Sequence, residues 1–412
     1  MTAGIPELLA ASLYGIRGLR QAERVGVAVS GGGDSMALLK LLSAWCNQRL
    51  IRLHAVSVDH GIRPENGSEC RAVRSYCGVL GVQHDTLAVT TPLTGNMQNA
   101  ARTERYRLIA DWAHSREIGF VALGHSLDDQ AETFLLNLSR GSGVDGLAGM
   151  PDQVRRLGVC WIRPLLNVGR GELRQFLVDR DIDWVDDPSN DDPDFDRIKA
   201  RQMLVMLGEL GLSRGKLART ARLMQQAREV LEGAAMAAGG RVLAENRLGD
   251  SHFGEEFWKL PSETRLRLSA DAIRRVSGSE YRPRLSALKS ALEEVAGGRR
   301  HTLAGCMAVP ARGSSFWIVR ELASCSGPVA ADQCWDGRWR LSGKPAPAGS
   351  TIGALGRNGL DECRNWREAG GPRESLFASP SLWSEGRLLS APFAGLDNGW
   401  SFARVQDDEI DR

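Results

Sequence analysis

The sequence predicts an α/β protein with a doubly wound parallel sheet, followed by a helical middle domain and a small β-rich C-terminal domain. Apolar, β-rich runs recur at intervals of roughly 30 residues in the first half of the chain, and segments long enough for crossover helices separate them. Near the C-terminus, glycine, proline and tryptophan punctuate short segments typical of strands and turns. We therefore expect three domains, at residues 1–210, 211–327 and 328–412.

Four predicted strands share an apolar, β-rich composition and lie at residues 25–29, 53–58, 82–89 and 120–123. The predicted crossover helices have apolar residues every three to four positions and lie at residues 36–45, 66–80 and 96–117. A further unit follows, with an apolar run at 161–166 and a helix at 171–180, before two prolines break regular structure at 186–193. Because ligands bind beyond the carboxyl ends of strands in such sheets, we expect functional residues in segments 30–35, 59–63 and 124–130.

The composition is that of a soluble globular protein, with 42% hydrophobic and 25% charged residues. No apolar run is long enough to span a membrane, and residues 1–20 lack the features of a secretory signal, so we expect a cytoplasmic protein. The eight cysteines form no C-x-x-C pair, which favours reduced, mostly buried thiols over a zinc ribbon or a disulfide framework. Because the net charge is only +2, nucleic-acid binding must be argued from local clusters of basic residues.

A glycine-rich loop lies between the first predicted strand and its helix. Glycine lets the backbone approach an anion, and the helix N-terminus supplies N–H donors, so the loop predicts a nucleotide phosphate site. Its order fits neither the kinase-type P-loop nor the dinucleotide fingerprint, and the alternative is an ordinary glycine-rich turn. Asp34 lies inside the loop, where a carboxylate beside phosphates requires a divalent cation, which predicts Mg²⁺ at Asp34. The predicted nucleotide-binding residues are Ser30, Gly31, Gly32, Gly33, Asp34 and Ser35.

A second cluster of polar residues follows the fourth predicted strand. Asp128 and Glu132 are four positions apart, as are His125 and Asp129, so one helical turn presents an imidazole and three acids. Burying so many acids is costly unless cations pair with them, which predicts a functional site. Helix capping would explain one or two of these acids. The glycine-rich segment at residues 139–150, which includes Arg140, is either a loop that closes over a substrate or a surface connector.

Two basic stretches lie in the predicted middle domain, at residues 212–231 and 265–289. Each alone is explained by a solvated helix face, whereas the two together predict a surface for a polyanion. In the first stretch the basic residues proposed to bind the polyanion are Arg214, Lys216, Arg219 and Arg222.

At these motifs the chain resembles the ATP-pyrophosphatase (PP-loop) superfamily, and within it the bacterial tRNA(Ile)-lysidine synthetase family. The resemblance covers roughly the first 200 residues and is most specific between residues 124 and 150. It rests on the S-G-G-x-D-S loop and on motifs at residues 58–63, 101–106, 124–138, 140–150, 163–166 and 184–201. The chain departs from the family at two places: Ser126 replaces a usual second histidine, and Ile198 follows Arg197 where an Arg-Asn pair is usual.

The resemblance implies a ligase that uses ATP and Mg²⁺ to join L-lysine to C2 of the wobble cytidine in tRNA(Ile) with a CAU anticodon. It implies that the glycine-rich loop holds pyrophosphate, that Asp34 holds magnesium, and that Arg201 neutralises charge on the α-phosphate or on O2. Asp129 and Glu132 would recognise lysine, His125 and Asp128 would orient the site, and Arg140 and Arg197 would join the basic residues above in binding tRNA.

Three alternatives have distinct requirements. A PP-loop tRNA thiolase would need a persulfide cysteine or an iron–sulfur C-x-x-C pair. An ammonia-using amide synthetase would leave the basic middle domain without a role. A non-catalytic nucleotide- or RNA-binding module would not need the cluster of His125 and three acids.

Overall fold

The computed structural model describes residues 4–59, 66–89, 97–185, 196–279 and 281–405. Most of the predicted functional segment 59–63 and the predicted break at 186–193 lie outside this part of the chain. By their contacts the residues divide into two compact units, 1–228 and 229–407, which are described separately.

The first unit contains a six-stranded sheet in the order β3-β2-β1-β4-β6-β5. All pairs are parallel except β5 with β6, which are antiparallel. The strands are β1 (Arg24–Ala28), β2 (Arg52–Asp59), β3 (Gln83–Ala88), β4 (Phe120–Leu123), β5 (Gln153–Arg156) and β6 (Val159–Ile162). The order of the strands reverses between β1 and β4, so the loops after these two strands border the crevice in which such sheets bind ligands.

Helices cover both faces of this sheet. The helices of this unit are α1 (Ile5–Gly15), α2 (Gly33–Asn47), α3 (Asn66–Leu80), α4 (Met97–Ser115), α5 (Leu127–Ser139), α6 (Val144–Leu147), α7 (Arg170–Val178), α8 (Asp196–Glu209) and α9 (Arg214–Val242), the last of which continues into the second unit. Of these, α5, α8 and α9 pack on one another in a separate cluster. Leu38 and Leu173 belong to the core on one face, and Ile109 and Trp112 belong to the core on the other. The predicted doubly wound sheet is therefore confirmed.

The second unit begins with the end of α9 and contains a five-stranded antiparallel sheet that the sequence did not predict. Its order is β7-β8-β11-β10-β9, and α10 (Ser262–Ser277) and α11 (Leu285–Ala296) pack on it. The strands are β7 (Leu243–Glu245), β8 (Ser251–Phe253), β9 (His301–Leu303), β10 (Cys306–Pro310) and β11 (Phe316–Arg320). Phe253, Phe257 and Phe316 form the centre of its core.

The last part of the second unit is built from short strands around a separate core, as the sequence predicted. Its strands are β12 (Val329–Ala330), β13 (Trp339–Gly343), β14 (Thr351–Ala354), β15 (Pro380–Ser384), β16 (Arg387–Ser390) and β17 (Trp400–Arg404), and its helices are α12 (Gly356–Asp361) and α13 (Arg373–Phe377). Trp335 and Trp339 are buried in this core. All eight cysteines are free thiols, and five of them are buried. None of the helices in the described residues has the length and apolar character that a membrane span requires.

Candidate active site

The glycine-rich loop after β1 is braced by its own serines. Gly31 has a φ of +90°, a conformation that favours glycine, and α2 begins two residues later. The Ser35 hydroxyl donates to the Gly32 carbonyl at 2.9 Å and accepts from the Ser30 N–H at 3.2 Å. The predicted arrangement of strand, glycine loop and helix N-terminus is therefore present.

The loop after β4 contacts the glycine-rich loop directly. A side chain at Gly124 would place its Cβ 3.0 Å from the backbone nitrogen and Cα of Ser35. The two loops border a cavity of about 660 Å³ at the carboxyl ends of β1, β2 and β4. Its lining includes Ser30, Asp34, His125, Asp129, Arg170 and Arg201. The fold thus brings the predicted phosphate loop and part of the predicted acid cluster to one cavity.

Asp129 and Ser126 form the N-terminal cap of α5. Asp129 Oδ2 accepts hydrogen bonds from the Ser126 N–H at 2.8 Å and from its hydroxyl at 3.0 Å. Asp129 Oδ1 lies 3.2 Å from a guanidinium nitrogen of Arg170. Asp129 therefore both caps the helix and presents its second oxygen to a cation.

Asp128 is turned away from the phosphate loop, toward the start of α7. Its Oδ2 accepts a 2.7 Å hydrogen bond from the backbone N–H of Arg170, and its Oδ1 lies 3.2 Å from Arg214 Nε. The Leu127 N–H donates to the Val168 carbonyl at 2.9 Å beside it. Asp128 therefore caps α7. The sequence analysis gave helix capping as the alternative to a catalytic role for one or two of these acids.

Glu132 is the most buried of the three acids, with a side chain that is 2% exposed. Its Oε1 accepts a 2.9 Å hydrogen bond from Arg201 Nε. Its Oε2 is buried and has no hydrogen-bond partner among the described residues. A carboxyl oxygen that is left without a partner can accept a hydrogen bond from a further donor.

Arg170 connects the acids and was not predicted from the sequence. Its Nε donates to Asp34 Oδ2 at 3.0 Å, while its terminal nitrogens face Asp129 at 3.2 Å and Glu132 at 3.6 Å. Arg170 is the first residue of α7, after β6. Applying the strand-end rule to the predicted unit at 161–180, as to the earlier strands, would have directed attention to it.

Burial and Arg170 act in opposite directions on the two aspartates. Burial raises the pKa of Asp34 above its ordinary value of 3.8, an effect that Arg170 partly offsets. Burial also favours the neutral acid at Asp129, but Arg170 and the hydrogen bonds from Ser126 hold the pKa of Asp129 below its ordinary range. Asp129 is thus held as a carboxylate.

His125 precedes α5, is partly buried and lines the cavity. Burial lowers the pKa of His125 to about 3, with Arg163 and other nearby arginines acting in the same direction. Its Nδ1 has no hydrogen-bond partner among the described residues. The imidazole is therefore neutral at physiological pH and can orient neighbours but cannot serve as a cation.

The depressed pKa of His125 predicts a pH-dependent stability. Between pH 6.5 and the folded-state pKa of about 3 the unfolded chain binds a proton that the folded protein excludes, so stability falls as the pH falls. We expect His125→Gln to reduce this loss by up to about 1.4 kcal/mol per pH unit. Urea unfolding at about pH 7 and about pH 5 measures it, with the exposed His114→Gln as the control. Equal losses in parent and His125→Gln would contradict the assignment.

The segment at 139–150 is bonded to α5 in the structure. Asn137 Nδ2 donates to the Gly146 carbonyl at 2.6 Å, and the side chain of Gln130 exchanges two hydrogen bonds with the backbone of Met150, at 2.7 and 2.9 Å. Gly146 belongs to the short helix α6, and Met150 follows this helix. These bonds fix two points of the segment on α5.

Comparison with known proteins identifies the family. Residues 7–207 match the PP-loop domain family. The chain is 41% identical to the tRNA(Ile)-lysidine synthase of Ruegeria pomeroyi, over 94% of this chain and 92% of that protein. The chain belongs to the tRNA(Ile)-lysidine synthase family. It is also 34% identical to the enzyme of Wolbachia sp. subsp. Brugia malayi, over 77% and 76% of the two chains, and 36% identical to that of Zymomonas mobilis, over 71% and 87%.

The two departures from the tRNA(Ile)-lysidine synthase pattern have structural explanations. Ser126, in place of the second histidine, is fully buried and supplies the capping bonds to Asp129. Ile198, in place of asparagine, is 7% exposed and faces the protein interior, whereas Arg197 is exposed on α8.

The basic residues expected to bind tRNA in this tRNA(Ile)-lysidine synthase homologue differ in their surroundings. Arg214 pairs with Asp128, and Arg222 contacts the side chain of Asn167. Lys216 donates to the Gly211 carbonyl at 2.7 Å, and Arg219 is exposed on α9. In the second basic stretch Arg267, Arg275 and Arg282 form ion pairs with acids. Lys216 and Arg219, like Arg222, are exposed cations of the first stretch.

Proposed function

We propose that this protein ligates L-lysine to C2 of the wobble cytidine of tRNA(Ile) with a CAU anticodon. The cytidine O2 attacks the α-phosphorus of ATP and pyrophosphate leaves; the lysine ε-amine then attacks C2, and AMP leaves with the oxygen. Activation must come first because oxide is a poor leaving group. The observation that carries the proposal is that one guanidinium, Arg170, contacts both the phosphate loop and the buried acids, which supports neighbouring sites for the two steps.

The glycine-rich loop would bind the pyrophosphate part of ATP through the N-terminus of α2. Asp34 is the carboxylate at this position, and no cluster of three metal-ligating side chains occurs among the residues that the structure describes. This fits magnesium, which is commonly held by one or two carboxylates together with phosphates and water. Bound there, magnesium would neutralise charge on the phosphates. Arg201, at the rim of the same cavity, would neutralise charge on the α-phosphate or on O2.

Asp129 and Glu132 would bind the ε-ammonium of lysine. The unsatisfied Oε2 of Glu132 and the Oδ1 of Asp129 are acceptors on the same side of α5, and an ammonium offers three donors. An ammonium is not a nucleophile, so one of these carboxylates must also receive its proton before attack. His125, which is neutral, would orient this site, and Asp128 would fix it to α7.

The tRNA would contact basic residues of the first unit, namely Arg140, Arg197, Arg214, Lys216, Arg219 and Arg222. We retain the three predicted domains, with catalysis in residues 1–210, tRNA binding in 211–327 and a separate β-rich domain in 328–412. Phosphate contacts of this kind position an RNA without reading its bases.

Neutralising two of these cations is expected to weaken tRNA binding and its salt dependence. In Lys216→Gln/Arg219→Gln, the slope of log affinity against log salt should decrease in magnitude by roughly 0.7 to 0.9 for each phosphate that is no longer neutralised. Discrimination between isoleucine and methionine tRNAs should be unchanged. Filter binding at several salt concentrations measures the slope. The control is Arg17→Gln/Arg52→Gln, two exposed arginines elsewhere in the first unit. A slope equal to that of the parent would make this first basic stretch an ordinary solvated helix face.

The experiment that tests the function is pyrophosphate release with each amino acid and bulk tRNA. We expect release that requires tRNA, and product that requires lysine alone among the amino acids. Sulfur transfer to tRNA would instead support the thiolase. Against that alternative, burial raises the pKa of Cys70, the one cysteine among the described residues that line the cavity, which disfavours the reactive thiolate.

A further inference from the structure

Arg170 is a single cation shared by three acids from two motifs. Asp34 belongs to the phosphate loop, whereas Asp129 and Glu132 lie on α5. The guanidinium nitrogens of Arg170 lie 3.0, 3.2 and 3.6 Å from these three carboxylates. The carboxylates raise the pKa of Arg170 above its ordinary range although burial acts against this, so the residue is a permanent cation. One positive charge thus balances acids that the proposed mechanism assigns to two different substrates.

The contact between Arg170 and Glu132 is the weakest of the three. The 3.6 Å separation exceeds the usual range for an N–H···O hydrogen bond, and it involves Oε1, which Arg201 already occupies. The Oε2 of Glu132 is buried without a partner among the described residues. Arg170 therefore neutralises the lysine site without filling its hydrogen-bonding capacity, and a cation that donates a hydrogen bond to Oε2 would bind there more favourably.

The backbone of Arg170 is fixed while its side chain borders open space. Its N–H is held by Asp128 at 2.7 Å, and its side chain is 22% exposed and lines the cavity. Phosphate oxygens bound at the loop would lie on the Asp34 side of the guanidinium. Because arginine binds phosphate in a bidentate manner, such an anion would compete with Asp129 and Glu132 for the same nitrogens.

We propose that Arg170 couples the two substrate sites: it holds Asp129 and Glu132 until nucleotide phosphates draw its guanidinium away, and lysine then binds the released carboxylates. This inference rests on the proposed function and adds an order of binding to it, with the nucleotide before lysine. Lysine binds more tightly when the phosphate site is filled, so the enzyme holds lysine and nucleotide at the same time. Thermodynamic linkage requires that lysine raise nucleotide affinity by the same factor.

The test is equilibrium dialysis of radiolabelled lysine against the full-length protein, with and without Mg²⁺ and α,β-methylene-ATP, which resists cleavage at the bond that the enzyme breaks. We expect the nucleotide analogue to raise lysine affinity of the parent by about tenfold, within the usual range of site coupling. In Arg170→Gln this ratio should fall close to one, because lysine affinity without nucleotide should increase. Arg180→Gln, two residues beyond the other end of the same helix, should keep the parental ratio.

Other results would overturn the inference. If Arg170→Gln weakens lysine binding equally with and without nucleotide and keeps the ratio, Arg170 is only a structural anchor. If Arg170→Gln fails to fold, the effect of lysine on the affinity of the parent protein for the nucleotide analogue is measured instead. The absence of such an effect excludes coupling. A parent that forms lysidine on tRNA(Ile) but shows a ratio of one refutes the inference and leaves the proposed function intact. A parent that binds no lysine in any condition and forms no product refutes both.

Discussion

Asp34→Asn is expected to slow pyrophosphate release by about 100-fold or more, because losing a carboxylate that holds a metal on phosphates removes several kcal/mol of charge stabilisation. Asparagine preserves the shape of the side chain. It removes the negative charge that Arg170 Nε contacts at 3.0 Å, which would hold magnesium in the proposed mechanism. The tRNA affinity should be nearly unchanged, because the proposed tRNA-binding cations lie elsewhere in the first unit.

Pyrophosphate release at saturating tRNA, over a range of magnesium concentrations, measures this effect. The matched control is Asp111→Asn, an exposed aspartate on α4 that pairs with Arg107. Partial rescue by higher magnesium would support the metal role. If Asp34→Asn releases pyrophosphate at the parental rate at ordinary magnesium, Asp34 does not hold the metal.

Glu132→Gln is expected to slow lysine transfer by about 100-fold while changing adenylation far less. Glutamine keeps an oxygen for Arg201, which lies 2.9 Å from Oε1, so the local packing is retained. What is lost is the charge and the second, unsatisfied acceptor that we assign to the lysine ammonium. The consequence is a step-specific defect instead of a general loss of activity.

A two-stage single-turnover experiment separates the steps. Adenylated tRNA is first accumulated without lysine, and its consumption is then followed after lysine is added. Glu209→Gln, an exposed acid on α8, is the control for a glutamate-to-glutamine change. Consumption of the adenylate as fast as in the parent at equal lysine would show that another group binds or deprotonates the amine.

The buried parallel strands were predictable because both of their faces are covered, which gives continuous apolar runs such as residues 25–29. β5 was not predictable, because it is an exposed edge strand whose residues are mostly polar and which pairs with only one neighbour. The sheet of the second unit was missed for a different reason. β7, β8 and β9 have three residues each, which is too short for an alternating pattern to be recognised.

The candidate site was predictable where chemistry is local in sequence. The glycine loop and the acids of α5 each lie within a few positions, so residue type and spacing are informative. Arg170 lies 136 positions from Asp34, and only the parallel sheet brings the two strand ends together. The capping roles of Ser126 and Asp128 likewise depend on contacts in the folded protein. Spacing in the sequence does not decide whether such residues cap a helix or take part in catalysis.

Gly124 has a consequence for attempts to redesign this enzyme. It contributes no functional group, yet the missing side chain leaves room for the backbone of Asp34 and Ser35, which would lie 3.0 to 3.1 Å from a Cβ. Backbone atoms cannot rotate away as a side chain can, so any larger residue would push the loop after β4 from the loop after β1. A directed-evolution library that varies the pocket should therefore keep position 124 invariant, although an inventory of reactive side chains would never include it.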